Sequence, residues 1–215
     1  MIILVNCRTN KMLISHKYKF IFIKTKKTAG TSIEIELSKN MDIDDIVTPI
    51  KPSFDGHQPR NFIYKGYKLN NHISAQNLYK VLPRYIFESY YKFCVEREPV
   101  DKCISDYSML KNSPYHNHYT KFLKWNEYVN AKNFPIDADK YTNKINKLMV
   151  DKIIKYENLN NEIYDILERL GIPFSGINVR AKSGFRENIT VTDQQKKIIY
   201  NVFKESNKHT LYKNT

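Results

Sequence analysis

The stretch that most constrains the fold is Phe20 to Ser32, FIFIKTKKTAGTS, where an apolar run stops at a lysine-rich loop holding one glycine. Tyr18 to Ile23 has the aromatic and β-branched content of a buried strand. Thr28, Ala29, Gly30, Thr31 and Ser32 have side chains small enough for a ligand to approach the backbone. A strand that delivers such a loop to a helix start builds an anion cradle, because unpaired N–H groups and the helix dipole then face one point. Lys27 stands at the mouth of that turn. The loop is not the GxxxxGK[ST] type of nucleotide triphosphatases, whose lysine follows the second glycine; here lysine comes before the glycine.

The residues after the loop carry two patterns. Ile33, Ile35 and Leu37 alternate with Glu34 and Glu36 as in a strand. Thr31 or Ser32 as N-cap, with two early glutamates, suits a helix N-terminus instead. A helix over Thr31 to Lys39 is expected, because a phosphate loop after a strand normally leads into one. Glu34 and Glu36 then read first as surface residues that complement the helix dipole. Asp42 to Gly56 reads as a loop, with Pro49 and Pro52 barring a long helix. Asn61 to Leu69 is a strand or short hairpin about Gly66, and Ser74 opens a helix to about Leu82, ended by Pro83. His72 stands just before that helix.

Tyr91 to Val95 reads as a strand, with Arg97 at its end and Pro99 as the first residue of a helix to about Leu110. Ser105 lies six residues beyond Pro99, roughly 9 Å along a helix at ~1.5 Å per residue, so Arg97 and Ser105 can converge on one phosphate. Arg97, always charged and able to bind bidentately, suits a phosphate monoester. Helices are further expected over Tyr119 to Val129 and Lys140 to Leu148, with Trp125 as a packing residue, and a strand over Val150 to Tyr156. A helix then stops at Gly171 and Pro173, and a Thr192–Gln195 capping box opens the last one, to about Ser206. Met1 to Val5 reads as a short strand and Asn6 to Lys11 as a turn.

Two of these stretches resemble the sulfotransferases that use 3′-phosphoadenosine 5′-phosphosulfate (PAPS). KTAGTS, residues 27–32, resembles the PKTAGTS-type 5′-phosphosulfate loop of the carbohydrate 2-O-sulfotransferase-like branch and its bacterial and viral relatives, with Lys26 where many relatives have proline. REPVDKCIS, residues 97–105, resembles the family's 3′-phosphate loop, an arginine and a proline with a serine eight residues after the arginine, and has Glu98 in place of Asp or Asn. KYENLNNEIYDILERLGIPF resembles the family's YE-x-L segment and following helix, where Tyr156 and Glu157 read mainly as structural. KSGFR, Lys182 to Arg186, resembles the late loop that closes over the 3′-phosphate side, and reads equally as a plain surface loop. The resemblance covers roughly residues 18 to 200 in pieces.

At 215 residues the chain is most simply one domain over residues 1–215, and the resemblance implies the P-loop-like sulfotransferase fold, an α/β architecture whose central, mostly parallel sheet is flanked by helices. The resemblance implies PAPS as donor and adenosine 3′,5′-bisphosphate as product, without a metal. Lys27 would touch the sulfate and the bridging oxygen, and Thr28, Ala29, Gly30, Thr31 and Ser32 the 5′-phosphate. Arg97, Ser105, Lys182, Gly184 and Arg186 would hold the rest of the cofactor. The reaction needs a base for the acceptor hydroxyl. Relatives carry a histidine between the two cofactor loops, and NHISA places His72 there; Glu34, Glu36 and His57 are the other candidates. An unperturbed histidine titrates near ~6.5 and accepts a proton at neutral pH.

A formal charge of +13 calls for an anionic partner, which admits nucleic acid, an anionic cofactor, a sulfated or uronic-acid glycan or an acidic membrane. The rival reading is therefore a basic binding module for nucleic acid or an anionic glycan on the same fold. Its support is the charge together with 16 tyrosines that can stack on bases. Against it, the basic residues of specific meaning fall in cofactor-type loops and no nucleic-acid motif appears, so nucleic acid is the less favoured partner. Cys7, Cys94 and Cys103 lack metal-like spacing and are too few for a disulfide framework. The six histidines make no HExxH, and the His116–His118 pair reads as a surface loop. No run approaches the ~20 apolar residues of a membrane span, so a soluble, cytoplasmic chain is expected, and the resemblance implies an enzyme acting on a carbohydrate or similar polar hydroxyl acceptor.

Overall fold

The computed structural model describes residues 12–50, 52–69, 72–114, 124–181, 183–206, 208–209 and 211–212. The expected strand over Met1 to Val5, the turn over Asn6 to Lys11 and the start of the helix expected from Tyr119, together with Cys7, His116, His118 and Lys182, lie outside them.

In chain order the elements are β1 (Leu13–Ser15), β2 (Phe20–Ile23), α1 (Gly30–Ser38), β3 (Ile46–Val47), β4 (Ile63–Tyr64) and β5 (Tyr67–Lys68). There follow α2 (Ala75–Val81), α3 (Arg84–Ser89), β6 (Tyr91–Glu96), α4 (Pro99–Asn112), α5 (Trp125–Ala131) and α6 (Ala138–Tyr141). After β7 (Lys152–Lys155) a 3₁₀ turn (Tyr156–Asn158) leads into α7 (Leu159–Arg169), and α8 (Asp193–Ser206) follows. Five strands form one sheet in the order β3-β1-β2-β6-β7, and β4 and β5 form a separate hairpin.

Strand β2 organises the sheet because both of its faces are buried. Phe20 and Phe22 pack with Phe93, Ile33 and Leu37 on the side of α1 and α7. Ile21 and Ile23, pointing the opposite way as strand geometry requires, pack with Leu78, Phe87 and Tyr141 on the side of α2, α3 and α6. That two-sided burial is why the run FIFI does not alternate with polar residues. β2 pairs in parallel with β6, and β6 with β7. β1 runs antiparallel to both β2 and β3, so the sheet is mixed where a mostly parallel one was expected. A third core, with Tyr107, Tyr128, Phe134 and Phe203, joins α4, α5 and α8.

Several local signals act as read. Ser74 accepts from the Asn77 amide, Pro99 starts α4, and Thr192 and Gln195 exchange both bonds of a capping box at 3.3 and 3.0 Å. Trp125 packs on Tyr107 and Tyr128. Two other expectations about local structure fail here. Asp42 to Gly56 contains β3, which its pairing with β1 creates. The helix over Lys140 to Leu148 stops at Tyr141, because the Asn143 side chain accepts from the Ile145 and Lys147 amides and makes a turn that Thr142 and Leu148 bridge.

The consequence for function is where the strands end. β2, β6 and β7 run the same way, so Lys24, Arg97 and Tyr156 leave the sheet at one edge. In open α/β sheets, the carboxyl ends of parallel strands are where ligands bind.

Candidate functional site

A cleft of about 1150 Å³ opens at that edge, walled by residues 24–32, His72, one side of α4, the turn after β7, and a strap whose described residues are 177–181 and 183–186. Its floor is the loop between β2 and α1. Lys27 and Ala29 both have positive φ, 61° and 56°, a conformation that costs energy for residues with a side chain. The loop is held there from behind. Thr25 donates its hydroxyl to the Val95 carbonyl, Lys26 donates its amide to Asp137 at 2.8 Å, and Arg97 donates to the Lys27 carbonyl at 2.9 Å.

Helix α1 begins at Gly30 with Ala29 as its N-cap and no side-chain cap, so neither Thr31 nor Ser32 plays the capping part expected of it. Its leading N–H groups and the positive end of its dipole are therefore left for an anion. Gly30 is needed for space. A Cβ there would stand 2.7 Å from Lys24 Cγ and 2.8 Å from Lys24 Cε, because the Lys24 side chain crosses the helix start.

Lys24 ends that crossing with its ammonium 3.0 Å from Thr31 Oγ1 and 2.9 Å from a carboxylate oxygen of Glu34. Both partners of this ion pair are buried. Burial pushes the Lys24 ammonium down, and it stays below its usual range although Glu34 pushes it up. Burial pushes the Glu34 carboxyl up, but Lys24 and His57 outweigh it and hold the group low. Glu34 therefore does not line the cleft as a base candidate must, and it is no surface residue either. Glu36 is likewise buried; it accepts the Asn178 and Val179 amides at 3.1 and 3.0 Å and anchors the strap. His57 is buried 3.6 Å from Glu34.

His72 is the base candidate that reaches the cleft. Its Nδ1 lies 2.8 Å from the Lys24 carbonyl, which can only accept, so Nδ1 carries the proton and Nε2 the lone pair. Burial, reinforced by the nearby Lys24 and Lys26 and opposed by Asp137, lowers its pKa to about 4.

The α4 wall carries a second cationic group. Arg97, buried at the end of β6, stacks 4.1 Å over the Tyr156 ring and donates Nε to Asp101. Arg186, from the strap, donates to the other oxygen of Asp101. One carboxylate thus holds two guanidinium groups together at the cleft wall. Ser105 and Gly184 also line the cleft, and Ser105 has no hydrogen-bond partner among the described residues. The strap is tied to α1 by the Ala181 amide on Ser32 Oγ at 3.1 Å, and to α4 by the Glu187 amide on Ser108 Oγ at 3.1 Å. Ser32 accepts in that bond and keeps its own proton to donate.

Among the described residues no group of three or more His, Cys, Asp or Glu is placed to hold a metal ion, and no helix is long and apolar enough to cross a membrane. The chain is similar to a protein of Archaeoglobus fulgidus described as uncharacterized, with 32% identity over 105 residues, 48% of this chain and 85% of the archaeal one. The two proteins belong to one family. No protein-family model matches the chain, and no solved structure matches it.

Sequence reasoning brought Lys27 to Ser32, His72, Arg97, Ser105, Gly184 and Arg186 to this cleft and missed Lys24, Asp101, Asp106 and Arg180. Asp101 had a local signal, since it stands four residues after Arg97, one helical turn away. Lys24 had one as well, a lysine closing an apolar strand. Asp106 and Arg180 had none, because only the fold turns them toward the loop.

Proposed function

We propose that the protein transfers a sulfuryl group from PAPS to a hydroxyl of a carbohydrate or similar polar acceptor. The observation that carries this reading is that one cleft joins the KTAGTS loop, with its uncapped helix start, to the Arg97–Asp101–Arg186 group. A donor with a phosphosulfate at one end and a phosphate monoester at the other needs two such cationic sites, so the donor set fits. The Ser105 hydroxyl, unpartnered among the described residues, and the Ser32 proton, donated to none of them, fit it further.

PAPS supplies the sulfuryl group and a phosphate leaving group. The N–H groups at the start of α1, with the Thr31 and Ser32 hydroxyls, hold the 5′-phosphate. The Lys27 ammonium neutralises charge growing on the bridging oxygen, and Lys24, its charge matched by Glu34, holds the Thr31 hydroxyl in place from behind. Arg97 and Arg186 grip the 3′-phosphate, with Tyr156 keeping Arg97 flat. His72 Nε2 accepts a hydrogen bond from the incoming hydroxyl and orients it. This work is positioning and charge neutralisation, as in the related phosphoryl transfers.

Release of adenosine 3′,5′-bisphosphate from PAPS tests the reading. Lys27→Ala should lower the rate by roughly 10²- to 10³-fold, the size of losing one preorganised donor. Arg97→Ala should chiefly weaken donor binding. Wild-type rates for both variants at subsaturating PAPS would overturn the assignment.

A further inference from the structure

We propose that Asp106 is the proton acceptor of the cleft, taking the proton of the hydroxyl or water that attacks the sulfuryl group. This rests on the transfer reading above. Asp106 lines the cleft one residue after Ser105 and three before Met109, and residues three apart share a helix face. Met109 Sδ lies 3.0 Å from the Lys27 ammonium, so that face of α4 brings the carboxyl of Asp106 to the corner where Lys27 works.

The carboxyl is oriented and partly open. Tyr128, buried on α5, donates its hydroxyl to Asp106 Oδ2 at 3.1 Å. Oδ1 has no hydrogen-bond partner among the described residues. The other acids of the cleft are spent, Asp101 on two arginines and Glu157 on the Glu98 amide and the Tyr212 hydroxyl.

The groups facing Asp106 are Lys26 and Lys27 of the loop, Tyr128 of α5 and Asp137 ahead of α6. Burial pushes the carboxyl up, Asp137 adds to that, and the lysines and Tyr128 only partly reverse it. A raised carboxyl is a stronger base than an ordinary one, whereas His72, at about 4, is a weaker base than an ordinary imidazole. In this assignment His72 orients the hydroxyl, and Asp106, on the face of α4 that meets Lys27, receives its proton.

In the step, the acceptor O–H bond breaks and its proton goes to Asp106 Oδ1. The acceptor oxygen bonds to sulfur while the bond from sulfur to the bridging oxygen breaks. That electron pair stays on the departing phosphate, beside Lys27. Asp106 then loses its proton to water.

The test uses the full chain with PAPS and water as acceptor, together with calorimetry of adenosine 3′,5′-bisphosphate in two buffers of different ionisation enthalpy. Asp106→Asn should slow bisphosphate release by roughly 10²-fold or more, the usual weight of a general base, and should bind bisphosphate at least as tightly as wild type. Asp106→Glu should recover part of the rate. Tyr128→Phe, which keeps the ring and removes only the hydroxyl, should move the acidic limb of the rate profile to higher pH. Binding of bisphosphate to wild type should take up a proton that Asp106→Asn does not take up, because a phosphate beside the carboxyl raises its pKa; that difference is read without any turnover. Unchanged release, or equal proton uptake by both proteins, would overturn the role of Asp106. A wild type that binds no bisphosphate would instead overturn the transfer reading beneath it.

Discussion

The loop between β2 and α1 has two faces, and they differ in how their polar groups are used. On the core side, Thr25, Lys26 and Lys27 are tied to Val95, Asp137 and Arg97. Asp137 in turn shares the buried Lys102 ammonium, at 2.9 Å, with Glu96 at 3.2 Å. On the cleft side, the α1 start is uncapped and Ser105 and Asp106 Oδ1 stand unpartnered among the described residues. The difference teaches how a strained loop serves a ligand. Bonds from behind hold Lys27 and Ala29 at positive φ, and so the front need not spend its donors on the protein itself.

Substitutions on the two faces should therefore separate stability from binding. The largest effect is expected at Lys102, whose removal leaves Glu96 and Asp137 buried without a cation. Burial pushes the Lys102 ammonium down, but its two carboxylate neighbours win and hold it firmly charged. Lys102→Met should cost about 3–5 kcal/mol of unfolding free energy in a denaturant titration, the range for breaking a buried ion pair. Ser105→Ala, on the front face, should stay within about 0.5 kcal/mol of wild type yet weaken bisphosphate binding. Equal stability losses at the two positions would erase the distinction.

Gly30→Ala sharpens the comparison, because Gly30 sits where the two faces meet. The added methyl must displace the Lys24 side chain, at a cost of about 1–3 kcal/mol typical of overpacking, with a loss of anion binding at the α1 start. A variant as stable as wild type that still bound bisphosphate would show that Lys24 can yield.

One effect vanishes at neutral pH and appears only in acid. His72 is depressed to about 4 in the folded protein, so the unfolded chain binds the extra proton first. Its contribution to stability is fully present above pH ~6.5 and is lost as pH falls from there to about 4. His72→Gln should flatten that part of the stability profile. An imidazole resonance titrating near pH ~6.5 in the free protein would contradict the buried, neutral ring.

Much of this was legible because the signals were local. A strand that ends in small residues, a proline at the first position of α4 and a serine eight residues after Arg97 are short-range patterns, and they led to six consecutive loop residues, Arg97 and Ser105 in one cleft. The parts that were not legible depend on distant partners. Glu34 is buried because Lys24 and Thr48 reach it, and Glu36 because the strap descends on it from residues 178 and 179. Nothing in the period of α1 distinguishes such glutamates from surface ones. The placement of Asp106 depends in the same way on α5 supplying Tyr128.

The most direct measurement is a calorimetric titration of the protein with adenosine 3′,5′-bisphosphate, run beside ATP and beside the Arg97→Ala variant. The account predicts tight binding of the bisphosphate, weak binding of ATP and a loss of binding in the variant. Equal affinity for the two nucleotides, unchanged by removing Arg97, would contradict a site built for a 3′-phosphate and point instead to a general anion-binding surface.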